Sequence, residues 1–164
     1  MNINFRPLLP EDWDSIAEIY REGIETRNAT FQTDVPTWES WDSAHLKTCR
    51  IVAIMENEII GWAALTPVSG RCVYAGVAEV SVYVSTKHHG KKAGTKLLDK
   101  LIGESEKSGI WTLQSGIFPE NLPSLKIHRN LGFRKVGIRK KIGKLDGKWR
   151  DTVLLERRSK ITGA

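Results

Sequence analysis

The sequence lacks several features that define whole classes of protein. No apolar run in its 164 residues approaches the roughly 20 residues that a membrane-spanning helix requires. The opening residues, MNINFRPLLPEDW, do not have the basic and then apolar layout of a secretion signal. Internal repeats, low-complexity tracts and linkers are also absent. We therefore expect one globular domain over residues 1–157, followed by a frayed tail over residues 158–164.

Cysteine is scarce in the chain. Cys49 and Cys72 are the only two, which is too few for a disulfide framework, and their spacing is not that of a metal site. No other cluster of metal-ligating residues stands out, so we expect a function without a metal. The expected compartment is the reducing cytoplasm.

The net charge of +6 is unevenly distributed. Residues 1–48 hold nine acidic and four basic residues, whereas the rest of the chain holds ten acidic and 21 basic residues. A basic region of this kind can contact nucleic acid, a membrane surface or a phosphorylated cofactor, or it can simply keep the surface soluble. Charge by itself therefore does not identify a partner.

The apolar periodicity predicts an α/β fold with a mixed sheet of about seven strands flanked by about four helices. The predicted strands cover residues 2–6, 50–55, 59–65, 77–84, 110–117, 136–144 and 149–155, and the predicted helices begin at residues 10, 37, 90 and 119. The last two strands flank Leu145-Asp146-Gly147-Lys148, which is typical of a tight hairpin because Asp and Gly tolerate positive φ.

The most informative segment begins with a strand. Residues 78–84 alternate between small apolar side chains and the polar set of Glu79, Ser81 and Tyr83. The loop HHGKKAG at 88–94 follows and leads into an amphipathic helix. Free N–H groups, the positive end of the helix dipole and lysines together favour an anion, and a diphosphate is the natural occupant. Glu79 would lie beside it as a proton acceptor.

A second strand-to-helix junction carries NLPSLKIHRNLGF at 121–133. Asn121 and Ser124 lie near the predicted start of this helix, where such side chains either cap the helix or contact a ligand. Ser124 and His128 are four residues apart and therefore share one face of the helix.

Together, the two junctions resemble the acetyl-CoA signature of the GNAT-type N-acetyltransferases. Within that superfamily, AEVSVYVSTKHHGKKAG and LDGKWRD resemble the phosphinothricin and methionine-derivative (sulfoximine, sulfone) acetyltransferases. The resemblance covers nearly the whole chain. It implies transfer of acetyl from acetyl-CoA to the amino group of a small amino-acid-like acceptor by direct attack. It also implies a homodimer. Because the chain has no long apolar run and no visible nucleic-acid-binding motif, we expect neither a membrane nor a nucleic acid as partner.

The resemblance also implies roles for individual residues. Glu79 would be the base, acting through water, and His128 the acid that protonates the departing thiolate. The backbone of Val82, Tyr83 and Val84 would bind the pantetheine arm. The other implied cofactor contacts are His89, Gly90, Lys91, Lys92, Ala93, Gly94, Thr95, Asn121 and Ser124.

One position departs from the family pattern. Lys92 stands where the family usually has glycine, so a Cβ restricts the backbone where the loop must approach the diphosphate. The N–H of Lys92 can still donate, and its ammonium group adds positive charge. We expect the cofactor to bind.

For the acceptor, two loops supply candidates. Arg71 and Tyr74 precede the strand of Glu79, and Phe31 and Thr33 follow the first helix. Arg71 could bind a carboxylate through two hydrogen bonds. Each of the four is equally well explained as an ordinary loop residue.

Several alternatives stay open at this point. Glu79 could be a strand carboxylate that pairs with a lysine, and His128 could be a packed histidine without a role. The acceptor could be a protein N-terminus, an aminoglycoside or a polyamine. A basic nucleic-acid-binding module that uses residues 134–160 is a further alternative.

Overall fold

The computed structural model describes residues 2–164, which form one seven-stranded sheet and four α-helices. The elements in chain order are β1 Asn4–Pro7, α1 Trp13–Glu25, α2 Trp38–Ala44, β2 Ile51–Met55, β3 Glu58–Pro67, β4 Val77–Val84, α3 Ala93–Lys107, β5 Thr112–Ile117, α4 Leu122–Asn130, β6 Arg134–Leu145 and β7 Lys148–Arg158. The strand order is β1-β2-β3-β4-β5-β7-β6. The predicted mixed α/β fold is confirmed.

The one parallel pair of this sheet, β4 with β5, is where the sheet divides. A parallel pair needs a long crossover, which α3 provides. The pairing joins Val77–Glu79 to Thr112–Gln114 and extends no further. Because β4 continues to Val84 and β5 to Ile117, the two strands run on without pairing to each other. A gap therefore opens between them.

Apolar residues cover both faces of the sheet. On one face, Leu97, Leu98 and Leu101 of α3 are fully buried and pack against the same cluster as Ala78 and Val80. On the other face, α1 and α2 enclose a cluster rich in tryptophan. The predicted apolar stripe of α3 and the predicted alternation of β4 are confirmed. The polar set of β4 therefore faces away from α3.

Two boundaries differ from the sequence-based prediction. The helix predicted from Gly90 begins at Ala93, because Gly90 (φ 82°) and Lys92 (φ 62°) are left-handed and cannot belong to a right-handed helix. The helix predicted from residue 10 begins with a single 3-10 turn, Pro10–Asp12, before α1. The predicted hairpin is confirmed, since the two residues between β6 and β7 both have positive φ.

The last residues of the chain make hydrogen bonds with α3 and with one another. Ser159 is buried, and its hydroxyl donates to Oε2 of Glu106 at 2.5 Å. The Thr162 hydroxyl donates to the Glu106 carbonyl at 2.7 Å, and the Arg158 guanidinium donates to three carbonyls of the tail. In residues 2–164, no helix combines the length and apolar character needed to cross a membrane.

Candidate active site

A cavity of about 250 Å³ lies in the gap between β4 and β5. Residues 79–83 of β4 and residues 115–118 at the end of β5 form two of its sides. The loop after α1 contributes residues 29–32, and Thr152 of β7 completes the lining with Asn121, Ser124 and His128. The split in the sheet thus creates a partly open cavity, lined by the strand that precedes the first junction and by the helix of the second.

Glu79 is the carboxylate of this cavity. It is the last β4 residue paired with β5, and Gln114 stands opposite it in the register. The Gln114 amide donates to Oε1 of Glu79 at 3.3 Å. Within residues 2–164, Oε2 has no protein donor and no Lys or Arg forms an ion pair with the group. This removes the alternative in which Glu79 pairs with a lysine.

Tyr83 contributes a phenol to the cavity that holds the carboxylate. Its ring centre is 4.9 Å from those of Trp62 and Tyr20. Burial raises the pKa of the Tyr83 phenol, and the nearby groups Tyr20 and Glu79 raise it further. The phenol is therefore neutral at physiological pH and can donate a hydrogen bond. The sequence assigned a role to the backbone of Tyr83, although its alternation with Glu79 already placed both side chains on one face.

His128 is buried in the wall formed by α4. Its Nδ1 lies 2.8 Å from the Ser124 carbonyl, which can only accept, so Nδ1 carries a proton. Burial holds the pKa of His128 below its usual range, although the Ser124 carbonyl opposes this shift. The neutral ring therefore has a lone pair at Nε2, which is buried without a protein partner. In this state Nε2 has a lone pair and can accept a hydrogen bond, but it has no proton to donate.

The turn into α3 has free donors. The N–H groups of residues 93–95 have no intrahelical acceptor, no side chain caps them, and the first helical bond runs from Lys96 to Lys92. Lys91 and Lys92 are exposed beside them. Lys92 adopts the left-handed conformation that glycine adopts without strain, at a cost of about 1 kcal/mol. This geometry suits an anion such as a diphosphate.

Beyond Glu79, β4 has a strand neighbour on one side only. β3 pairs with it as far as Val84, whereas the pairing with β5 has already ended. Backbone groups that face the gap can therefore bond an extended ligand as a further strand would. At the end of β4, Nε2 of His89 donates to the Val84 carbonyl at 3.1 Å, so this predicted ligand contact already has a protein partner.

The structure brings together only part of the predicted site. The predicted residues that line the cavity are Phe31, Glu79, Val82, Tyr83, Asn121, Ser124 and His128. Thr33, Arg71 and Tyr74 do not line it, and all three are exposed. The Arg71 guanidinium lies 5.5 Å from the Tyr74 ring centre, in a loop outside the cavity. Arg71 is thus not placed to bind a carboxylate within this cavity.

Asn121 fills a structural role with both ends of its amide. Its oxygen accepts from the N–H of Ser124 and so caps α4, while its nitrogen donates to the Asn28 carbonyl at 3.1 Å. The sequence allowed Asn121 either to cap the helix or to contact a ligand, and these contacts support capping.

Several residues of the site carried no recognisable signal in the sequence. Thr30, Ser115 and Thr152 contribute hydroxyl groups, and Gln114 binds Glu79. Their proximity depends on contacts between segments far apart in the chain. In the residues that the structure describes, no group of three or more His, Cys, Asp or Glu side chains could hold a metal ion.

Comparison with known proteins places this arrangement in a family. Residues 13–133 match the model of the acetyltransferase (GNAT) family. The phosphinothricin N-acetyltransferase of Streptomyces viridochromogenes is 28% identical over 159 residues, which cover 94% of this chain and 87% of that enzyme. The L-methionine sulfoximine/L-methionine sulfone acetyltransferase of Salmonella typhimurium is 27% identical over 150 residues, or 88% of each chain.

A solved structure agrees with the sequence relatives. The crystal structure of a GNAT superfamily phosphinothricin acetyltransferase from Sinorhizobium meliloti, in complex with acetyl-CoA, has a TM-score of 0.87. It is 28% identical, and the match covers 100% of this chain and 95% of that one. The chain belongs to the GNAT acetyltransferase family.

Proposed function

We propose that this protein transfers the acetyl group of acetyl-CoA to the amino group of a small amino-acid-like acceptor. The acceptors that we propose are of the phosphinothricin, methionine sulfoximine or methionine sulfone class, which the names of the relatives specify. The observation that carries the proposal is the carboxylate of Glu79, which has a free oxygen in a cavity between two diverging strands. A volume of about 250 Å³ suits a small acceptor better than a folded polypeptide.

Acetyl-CoA, when bound, supplies the thioester carbonyl that the acceptor amine attacks. The N–H groups of residues 93–95, with Lys91 and Lys92, would bind its diphosphate. The unpaired edge of β4 at residues 82–84 would bind the extended arm.

Glu79 would make the acceptor amine nucleophilic. An amino group is mostly protonated at neutral pH and attacks only as the free base, so a base must remove a proton. Oε2 of Glu79 is free for this step, directly or through a water molecule, while Gln114 holds Oε1 in place.

His128 would transfer a second proton, the one that the attacking nitrogen loses as the new C–N bond forms. Its neutral ring can serve as an acid only after Nε2 has accepted a proton. We propose that Nε2 takes the proton that the amine nitrogen loses as the new C–N bond forms, and returns it to sulfur as the C–S bond breaks. One proton leaves nitrogen and one reaches sulfur, so the step balances.

We also propose that the protein is a homodimer, as the resemblance implies. β6 is an edge strand of the described sheet, and Val136, Ile138 and Ile142 expose apolar side chains on it, with Trp149 exposed on β7. Sedimentation of the purified chain would test this. A single species at the monomer mass across micromolar concentrations would contradict it.

A thiol-release assay tests the proposed reaction. The purified protein is mixed with acetyl-CoA and with phosphinothricin, methionine sulfoximine, methionine sulfone or a polyamine. We expect release of CoA with at least one amino-acid acceptor, and loss of at least about 100-fold in kcat for Glu79→Gln. Glu58→Gln, an exposed carboxylate at the start of β3, is the matched control. If no amino-acid acceptor promotes release, the proposed function is wrong.

A further inference from the structure

Arg150 of β7 joins the loop after α1 to the wall of the cavity. Its Nη1 donates to the Arg27 carbonyl at 2.9 Å, and its Nη2 donates to Oδ1 of Asn28 at 3.3 Å. Its Cζ lies 3.9 Å from the centre of the Phe118 ring, and a carboxylate oxygen of Glu120 is 3.6 Å from Nη2. The side chain is only 18% exposed, so these contacts occupy most of it.

Asn28 is held from a second element as well. Its carbonyl accepts from Nδ2 of Asn121, at the start of α4. The residues that follow directly, 29–32, line the cavity. Among them, Phe31 meets Phe118 edge to face, with ring centres 5.0 Å apart. The Arg150 guanidinium therefore contacts both Asn28, which anchors the loop, and the Phe118 ring, against which Phe31 of the loop packs.

This loop depends on such contacts for its shape. Between the end of α1 and the start of α2, residues 26–37 form no helix or strand. Arg27 has a left-handed backbone (φ 56°), which turns the chain toward β7. A segment without regular hydrogen bonding keeps one conformation only where side chains hold it, because ordering its backbone costs entropy.

The loop and the proposed diphosphate contacts lie on opposite faces of the sheet. α3, whose first turn we assign to the diphosphate, packs on the face of the sheet that carries Ala78 and Val80. The loop follows α1, which packs on the opposite face. A change in the loop should therefore alter binding of the acceptor and spare binding of acetyl-CoA.

We propose that Arg150 is a positioning residue for the acceptor: with Asn121 it holds Asn28, and thereby keeps residues 29–32 against Phe118 as the acceptor wall. This inference rests on the proposed acetyltransferase function. Arg150 itself does not line the cavity. It acts through the loop that does.

Kinetics of two variants test the proposal. Arg150→Gln removes the charge and the planar pair of donors, while Arg150→Lys keeps the charge without that pair. We expect Arg150→Gln to raise KM for the acceptor by about tenfold or more and to leave KM for acetyl-CoA within about twofold, with Arg150→Lys between it and the wild type. The control Arg134→Gln, an exposed arginine of β6 paired with Glu156, should change neither constant. Equal changes in both constants for Arg150→Gln would overturn the proposal.

Hydrogen exchange provides a readout that does not need turnover. In the ligand-free protein, amides of residues 27–33 should exchange at least about fivefold faster in Arg150→Gln than in the wild type or Arg134→Gln. Unchanged exchange there refutes the anchoring role even if the wild type is active. If the wild type acetylates no acceptor but exchange is faster in Arg150→Gln, the proposed function is wrong and the anchoring role of Arg150 is still supported. If Arg150→Gln does not fold, Asn28→Ala removes the accepting side chain and should give the same pattern.

Discussion

Replacing His128 with leucine should separate stability from activity. The buried Nε2 has no protein partner, and leaving such a group unsatisfied costs about 1–3 kcal/mol. Leucine removes that cost, but it also removes the bond from Nδ1 to the Ser124 carbonyl, whose net worth is about 0.5–1.5 kcal/mol. The balance predicts that His128→Leu raises the free energy of unfolding by about 1 kcal/mol at pH 7.5, while it abolishes the proton transfer that we assign to Nε2.

The same variant should change the pH dependence of stability. Because burial holds the pKa of His128 below its ordinary value of 6.5, the unfolded chain binds the proton more readily than the folded chain. The stabilising contribution of the neutral ring is complete above pH 6.5 and decreases as the pH falls toward the pKa of the folded state. Burial shifts the pKa of His45 in the same direction, so some pH dependence remains in the variant.

Urea unfolding at pH 7.5 and pH 5.0, with thiol release at pH 7.5, measures both effects. We expect the free energy of unfolding to fall less between the two pH values in His128→Leu than in the wild type. A variant that is more than about 2 kcal/mol less stable than the wild type at pH 7.5 would show that Nε2 has a partner in solution. A variant with wild-type turnover would show that His128 has no chemical role.

Four other substitutions probe the site and the elements around it. Gln114→Leu removes the donor to the proposed base, so kcat should fall about tenfold while KM for acetyl-CoA stays within about twofold in steady-state kinetics. Lys92→Gly relieves the left-handed strain at the start of α3, and thermal unfolding should show a gain of about 1 kcal/mol; a loss would mean that the lysine side chain stabilises the turn. Gly76→Ala would place a Cβ 2.0 Å from a ring carbon of Trp111, so chemical denaturation should show a loss of at least about 2 kcal/mol. Gly103→Ala, with nothing within 4 Å, should instead gain about 1 kcal/mol.

Local patterns in the sequence predicted the helices, strands and turns of this protein. The alternation along β4, the apolar stripe of α3 and the Asp146-Gly147 turn are confirmed because each depends on residues within a few positions of one another. The two loop motifs indicated the family for the same reason, since each is a short run of residues. The start of α3 was predicted at Gly90 and lies at Ala93, because a lysine in the sequence does not indicate that its backbone is left-handed.

The tertiary structure decided which of these residues meet. The opposition of Gln114 to Glu79 depends on the register of two strands that α3 separates, and the placement of Arg71 outside the cavity depends on the path of a whole loop. Arg150 reaches Asn28 across more than 120 residues of chain. Such contacts come from packing of the complete sheet and its helices. The sequence alone therefore determined the family and the elements, and the fold determined which side chains line the cavity and which of them burial keeps neutral.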